Sequence, residues 1–199
     1  MTFRVVLAFA YRFSFITLLV APLWIAPVAY PLTINPTIGE VKKLTAADAA
    51  MNDRFGESVA ISGDTAVVGS LLDGDAGHGS GSAYVFARDQ GGVNNWGQLK
   101  KLVASDAVGG DNFGVTVAIT GDTIVVGAWA DDDAGSASGS AYIFERNQEG
   151  ADNWGEAKKL TASDAAAGDN FGYSVAISGD TIIVGAIGDA DVGANTGAA

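Results

Sequence analysis

The stretch FGVTVAITGDTIVVGA, from Phe113 to Ala128, occurs in three closely similar copies in this chain. FGESVAISGDTAVVGS runs from Phe55 to Ser70 and FGYSVAISGDTIIVGA runs from Phe171 to Ala186, so the copies lie 58 residues apart. The same interval separates the Lys-Leu pairs that begin at Lys43, Lys101 and Lys159. A fixed period of this length indicates a repeat architecture, in which each unit is one supersecondary element that packs against its neighbours.

Within one unit, apolar residues alternate with small or polar ones, which is the spacing of a β-strand. The segment Thr120–Thr123, TGDT, predicts a tight turn into a second, β-branched strand over Thr123–Gly127. A third strand is predicted over Gly139–Glu145 and a fourth over Ala157–Ala162. No stretch of the unit has helical spacing, so we predict an all-β fold of four-stranded antiparallel meanders.

A four-stranded meander at this interval predicts the blades of a β-propeller. Phe-Gly at the start of the first strand, and Val-Gly-Ala at the end of the second, resemble the FG-GAP repeat of integrin α-chains and bacterial surface proteins. The likeness covers about Val41 to Ala199 and is closest to the bacterial form with SVAISGDT and GSAYVF blocks.

Two features depart from that family. The proline of the family's Gly-Ala-Pro motif is absent here, and its place is taken by Leu71, Trp129 and Ile187. The family's long Asp-rich calcium loop between the first and second strands is replaced by the short SGDT or TGDT turn. The resemblance therefore implies the fold without implying calcium at that turn.

The repeat region is expected to span residues 41–199, with units that begin at 55, 113 and 171 and a third unit that stops within its block. Val41 to Ala46 is predicted to be a fourth strand with no partner before it. Closed propellers typically need four to eight blades. We therefore expect an incomplete ring of about three blades, the first part of a longer propeller.

The N-terminal segment has a different character. Arg4 and Arg12 precede the uncharged run FSFITLLVAPLWIAPVAY, Phe13 to Tyr30, which ends in small residues. Residues 1–30 are predicted to be a secretory signal peptide or an uncleaved membrane anchor, followed by a linker over 31–40. Translation from a misplaced start codon is a third reading. Either export reading predicts a secreted or cell-surface protein.

The charge of the repeats limits the class of partner. Without Arg4 and Arg12 the chain has nine basic and 23 acidic residues, a net charge of −14. Nucleic acid is excluded as a partner, and a membrane is expected only through the N-terminal anchor, because a polyanionic surface would be repelled. The chain has no Cys, so its stability depends on packing and not on disulfides.

The candidate site lies at one end of the blades. In a meander the loops after the second and fourth strands share one end, which we call the acidic loop face because the second-strand loops carry a D-x-D-x-G pattern. The candidate binding residues are Asp73, Asp75, Asp131, Asp133, Asp189 and Asp191, with Trp129 as the aromatic candidate. In integrin-like propellers this loop set binds ligand, so the resemblance implies a protein or glycan partner.

The same six aspartates are candidate Ca²⁺ ligands, because neighbouring carboxylates on a Gly-rich loop supply the oxygen atoms that this cation takes. The alternative is that they are turn residues, since Asp often bonds to its own backbone and a D-x-D lacks a complete ligand set. Calcium is the single cofactor that the sequence suggests.

Catalytic residue types are scarce. The single His is His78, which has no counterpart in the other copies, and acids that recur in every repeat are typical of architecture and not of one asymmetric site. We therefore predict a non-catalytic binding or adhesion module. The alternatives are a structural spacer in a larger surface protein, or part of a propeller enzyme whose active site lies beyond residue 199.

Overall fold

The computed structural model describes residues 42–191, 193 and 196–199. The expected signal peptide or anchor over 1–30 and the linker over 31–40 lie outside the described residues. Within the described part the chain forms ten β-strands and no helix, and hence no helix long and apolar enough to cross a membrane. The strands are β1 (Phe55–Ser62), β2 (Thr65–Ser70), β3 (Ser82–Ala87), β4 (Gly97–Leu102), β5 (Thr116–Thr120), β6 (Thr123–Ala128), β7 (Ser140–Glu145), β8 (Gly155–Leu160), β9 (Phe171–Ser178) and β10 (Thr181–Ala186).

The strands form two antiparallel four-stranded meanders and one hairpin. Blade 1 has the order β1-β2-β3-β4, blade 2 has the order β5-β6-β7-β8, and β9 pairs with β10 in the third unit. The prediction of an all-β fold of antiparallel meanders is confirmed. The described sheets do not close on one another, so they form an incomplete propeller.

The strand boundaries follow the predicted ones with two shifts. β6 and β7 lie within one residue of the predicted bounds, but β8 begins and ends two residues early, because Gly155 already pairs with Glu145. β5 begins at Thr116 and not at Phe113. Gly114 has a φ of +89°, but the equivalent Gly56 and Gly172 have similar angles inside β1 and β9, so this angle alone does not end the strand.

Phe113 lies where the main chains of blades 1 and 2 contact each other, a region that we call the seam between blades. Its N–H donates to Ser80 O at 3.1 Å, and it forms a parallel bridge with Gly81. A Cβ on Gly81 would lie 2.0 Å from Phe113 O, and one on Gly114 would lie 2.2 Å from Ser82 O. The next junction repeats the pattern with Phe171 N–H and Ser138 O at 3.0 Å. The repeated Phe-Gly therefore lets the backbones of neighbouring blades touch.

The apolar core lies between blades. Phe113, Val117 and Ile124 of blade 2 pack with Val67 and Val85 of blade 1 in one buried cluster. The corresponding face of blade 1 has no described blade beside it, and Val59, the equivalent of Val117, is 70% exposed where Val117 is 7% exposed. Each blade face thus becomes core when the preceding blade covers it.

The predicted fourth strand at Val41 to Ala46 is wrong for its described part, since residues 42–46 form no strand. Strands are defined by hydrogen bonds to a neighbouring strand, and the described residues offer none here. Leu44 and Ala46 still pack on the blade 1 cluster that contains Tyr84, in the places that Leu102 and Ala104 take beside blade 2. Leu44 and Ala46 therefore take the apolar positions of the repeat, although a β-strand here would also need a hydrogen-bonded neighbouring strand.

Candidate functional site

Three aspartate carboxylates of each unit lie together on the acidic loop face. In the first unit they are Asp48, from the loop before β1, and Asp73 and Asp75, from the loop between β2 and β3. One oxygen from each lies within 4.8 Å of the others. The equivalent sets are Asp106, Asp131 and Asp133, and Asp164, Asp189 and Asp191. The six predicted aspartates thus fall into three sets, each joined by one aspartate from the preceding loop.

A lysine ammonium sits among the carboxylates of the first set. Lys101 Nζ, from β4, lies 2.7 Å from Asp48 Oδ2, 3.1 Å from Asp73 Oδ2 and 2.5 Å from Asp75 Oδ2. The Tyr84 hydroxyl lies 2.9 Å from Asp48 Oδ1 and 2.6 Å from Asp73 Oδ2, so its proton can be donated to either carboxylate. We call these five residues the first aspartate–lysine cluster.

Blade 2 has the same arrangement. Lys159 Nζ lies 2.6 Å from Asp106 Oδ2 and 3.0 Å from Asp131 Oδ2, and it also pairs with Asp133. The Tyr142 hydroxyl lies 2.8 Å from both Asp106 Oδ1 and Asp131 Oδ2. These five residues are the second aspartate–lysine cluster. Its recurrence shows that the 58-residue repeat encodes the cluster.

The strand register and the loop turn position the members of each cluster. Tyr84 on β3 is directly opposite Lys101 on β4, and Tyr142 is opposite Lys159, so both side chains leave the same face of the sheet. The Asp75 N–H donates to Asp73 Oδ1 at 3.3 Å, which closes the D-x-D turn. The same turn bond is made by the N–H groups of Asp133 and Asp191.

The ion pairs shift the pKa values of both partners. Burial lowers the pKa of Lys101, but hydrogen bonds to the three aspartates outweigh it and raise the pKa well above the ordinary value. The hydrogen bond from Lys101 holds the pKa of Asp48 below its ordinary value. Burial raises the pKa of Asp106, and hydrogen bonds from Lys159 and Tyr142 reverse that shift and lower it. Lys101, Asp48 and Asp106 are therefore charged at neutral pH.

The third set differs. Among the described residues, no lysine lies within ion-pair distance of Asp164, Asp189 or Asp191. The negative charges of Asp189 and Asp164 raise the pKa of Asp191.

The first two sets do not fit a metal ion as they are arranged. In each set, the lysine Nζ lies within hydrogen-bond distance of all three carboxylates, which is the position that a bound cation would have to occupy. A divalent ion there would lie against a positive charge. The grouping of acids is compatible with metal binding only where the ammonium is missing.

Hollows on the acidic loop face lie beside the clusters. In blade 2 a hollow of about 200 Å³ is lined by Val108 and by five aspartates, Asp106, Asp111, Asp131, Asp132 and Asp133. The corresponding hollow in blade 1, about 440 Å³, is lined by four aspartates and also by Met51, Leu72 and His78. Burial raises the pKa of Asp111, and the nearby charges of Asp131 and Asp106 add to that rise. Negative charge is thus concentrated around these hollows.

Trp129 lies apart from these hollows. Its ring packs edge-on against Tyr173, with ring centroids 6.5 Å apart, and the side chain is half-buried between the second and third units. Lys101 and Lys159 were not among the predicted site residues, although their 58-residue interval was visible. The signal that could have identified them is strand pairing. The third strand carries Tyr84 or Tyr142, and the fourth strand, which was predicted to pair with it, carries the lysine, so the lysine lies at the same end of the blade as the acids.

These features define a class of protein, the β-propeller-type repeat proteins built from four-stranded blades. The FG-GAP repeat model matches residues 38–86, 96–144 and 154–199. The chain therefore belongs to the FG-GAP repeat family, which is typically non-enzymatic. A comparison with curated proteins gives no match. The first two matched units begin in the segment that precedes one blade's Phe-Gly and end in the third strand of that blade, at Phe86 and Phe144.

Proposed function

We propose that the chain is a non-catalytic binding or adhesion module that presents its acidic loop face to a protein or glycan ligand. The observation that carries the proposal is the aspartate-lined hollow that recurs at the same end of blades 1 and 2. Each aspartate–lysine cluster keeps two negative charges after its lysine is counted, and Asp111 and Asp132 add two more in blade 2. This charge favours a ligand with basic groups, such as a lysine-rich protein segment.

The proposal is tested by titrating the full chain with a lysine-rich peptide, a neutral oligosaccharide and a sulfated oligosaccharide. We expect the peptide to bind and its dissociation constant to rise steeply with salt, because the attraction between exposed charges is screened. The test variant is Asp132→Asn, since Asp132 is exposed on the acidic loop face and pairs with neither lysine.

The matched control is Asp180→Asn, which removes the same charge from the exposed turn at the other end of the third unit. Asp132→Asn is expected to weaken peptide binding severalfold at low salt and Asp180→Asn to leave it unchanged. Equal effects of the two variants, or binding of the sulfated glycan in preference to the peptide, would show that the acidic loop face is not the binding surface.

Calcium-assisted binding is a second form of this function. It is supported by the grouping of Asp164, Asp189 and Asp191, each of which has a carboxylate oxygen within 4.8 Å of the others. Carboxylates so arranged offer Ca²⁺ part of its oxygen ligand set. Calorimetric titration of the full chain with Ca²⁺ should give heat that is lost in the Asp189→Asn, Asp191→Asn double variant. Equal heats with the two chains would remove calcium from the proposal.

The module is further proposed to act outside the cytoplasm, as a secreted or cell-surface protein. The support is the basic flank and the uncharged run of residues 1–30. N-terminal sequencing of the mature protein tests this point. A new N-terminus near residue 30 supports a signal peptide, an intact Met1 in the membrane fraction supports an anchor, and an intact Met1 in the cytoplasm contradicts export.

A further inference from the structure

We propose that Lys101 and Lys159 are the resident cations of the D-x-D loops, so that in blades 1 and 2 an ammonium group of the protein takes the place of a divalent metal. The proposal concerns how the loops are held together, and it stands whether or not the acidic loop face binds a ligand. It assigns a role to two lysines that the sequence marks only by their 58-residue interval.

The geometry is the first support. Lys101 Nζ contacts one carboxylate from the loop before β1 and two from the loop between β2 and β3, so it joins two separate loops to β4. A structural metal ion has the same effect, because it draws ligands from separate segments to one point. Lys101 is only 17% exposed at its side chain and Asp73 is 5% exposed, so water screens this pair weakly.

The second support is that each buried carboxylate is already supplied with donors. Asp131 Oδ1 accepts the Asp133 N–H at 3.2 Å, while Oδ2 is 2.8 Å from the Tyr142 hydroxyl and 3.0 Å from Lys159 Nζ. An ionised carboxylate offers about four acceptor positions. Three of them are thus used within the protein, and a metal would have to displace one of these donors.

The third support comes from the set that lacks the ammonium. Asp164, Asp189 and Asp191 have the same D-x-D turn and the same grouping, yet the charges of Asp189 and Asp164 act on Asp191 without compensation from a lysine among the described residues. The turn therefore forms from the aspartates themselves. The lysine supplies the positive charge, not the shape of the loop.

Amine labelling of the full chain tests the proposal directly. Lys101 and Lys159 should react with acetic anhydride at least about tenfold more slowly than Lys43, because a buried ammonium held by three carboxylates must lose its proton and its partners before it reacts. Lys43 is the matched control, since it occupies the same repeat position and is exposed. Equal labelling rates at the three positions would contradict the proposal.

A pair of variants tests the exchange of ammonium for metal. Lys159→Met removes the ammonium group from the second aspartate–lysine cluster, and Lys158→Met removes the same charge from the exposed neighbouring position. In chelator, Lys159→Met should melt about 5 °C below Lys158→Met. Addition of about 1 mM Ca²⁺, in the affinity range of extracellular calcium modules, should raise the midpoint of Lys159→Met by several degrees more than that of Lys158→Met.

The outcomes separate the alternatives. Any calcium effect of the third set is common to both variants, so the difference between them reports on the second cluster alone. Equal midpoints in chelator, or an equal response to Ca²⁺, would show that Lys159 is not the resident cation. A wild-type calcium response that is abolished by Asp131→Asn with Asp133→Asn would likewise overturn the proposal, because the metal would then displace the lysine.

Discussion

Asp131 illustrates how a residue that reads as a ligand in the sequence can make most of its hydrogen bonds within its own protein. It is 4% exposed and accepts hydrogen bonds from a backbone amide, a phenol and an ammonium. The second aspartate of the pattern, Asp133, is about half exposed and is the member that faces solvent. The D-x-D pattern therefore combines one structural carboxylate with one that a partner can reach.

The first prediction concerns acid stability. Asp48 and Asp106 have pKa values lowered by folding, so their contribution to stability is present above the ordinary value of 3.8 and is lost as the pH falls through the lower, folded-state pKa. The free energy of unfolding should hence be nearly constant from about pH 7 to 5 and should fall below about pH 4. Chemical denaturation at a series of pH values measures this change.

Asp106→Asn should have a shallower loss of stability below about pH 4 than the wild type, because the amide has no proton to gain there. Asp180→Asn, in an exposed turn with no ion pair in the described structure, should keep the wild-type slope. A slope for Asp106→Asn as steep as that of the wild type would mean that other carboxylates cause the acid sensitivity.

At the level of the element, the sequence predicted most of what local patterns determine. The β-branched run of β6 was placed within one residue and inside a sheet, because its apolar residues on both faces allow few other environments. The start of β5 at Thr116 was not predicted, because alternation within one strand carries no information about the contacts that Phe113 and Gly114 make with blade 1. The site was predicted in part for the same reason: the aspartates are neighbours in sequence, whereas Lys101 reaches them only through strand pairing.

The second prediction tests the seam between blades. Gly114→Ala should destabilise the protein by about 3 kcal/mol or more, because the new Cβ would lie 2.2 Å from the Ser82 carbonyl oxygen and the φ of +89° is unfavourable for Ala. Gly121→Ala is the control, since Gly121 also has a positive φ but its Cβ would meet open space; about 1 kcal/mol is expected there. Equal losses in urea denaturation would show that the backbone angle alone matters.

The third prediction compares two equivalent strand positions. Val117→Ala on β5 should cost about 2 kcal/mol, because the side chain is 7% exposed within the core between blades. Val59→Ala on β1, the same position of the repeat, should cost less than about 0.5 kcal/mol, because Val59 is 70% exposed. If the two variants lose the same stability in urea, another surface covers Val59 in solution.

At the scale of the whole molecule, stability is distributed along a row of repeats. Blade 2 is covered on one face by blade 1 and on the other by the third unit, whereas no described blade covers the outer faces of those two units. In repeat proteins each unit gains stability mainly from its nearest neighbours. The central blade should hence be the last to open.

The fourth prediction is a gradient of hydrogen exchange. The amides of β6 should be protected most, because Ile124, Val125 and Val126 are fully buried, and those of β10 should exchange much faster, because Ile183 is 56% exposed. Exchange followed by mass spectrometry resolves the two strands. Uniform protection across both would indicate a single cooperative unit without weaker outer repeats.

The lysine of each cluster has a consequence for the way such a chain can change in length. Lys159 belongs to the matched unit 154–199, whereas the aspartates it neutralises belong to the unit 96–144. The repeat as the family model bounds it and the charge-balanced unit are thus out of phase. Gain or loss of whole repeats preserves every internal pairing, whereas loss of a segment that carries one lysine leaves the aspartates of the preceding repeat without their counter-ion. Changes in the length of such a chain are therefore expected to be tolerated best in whole 58-residue steps.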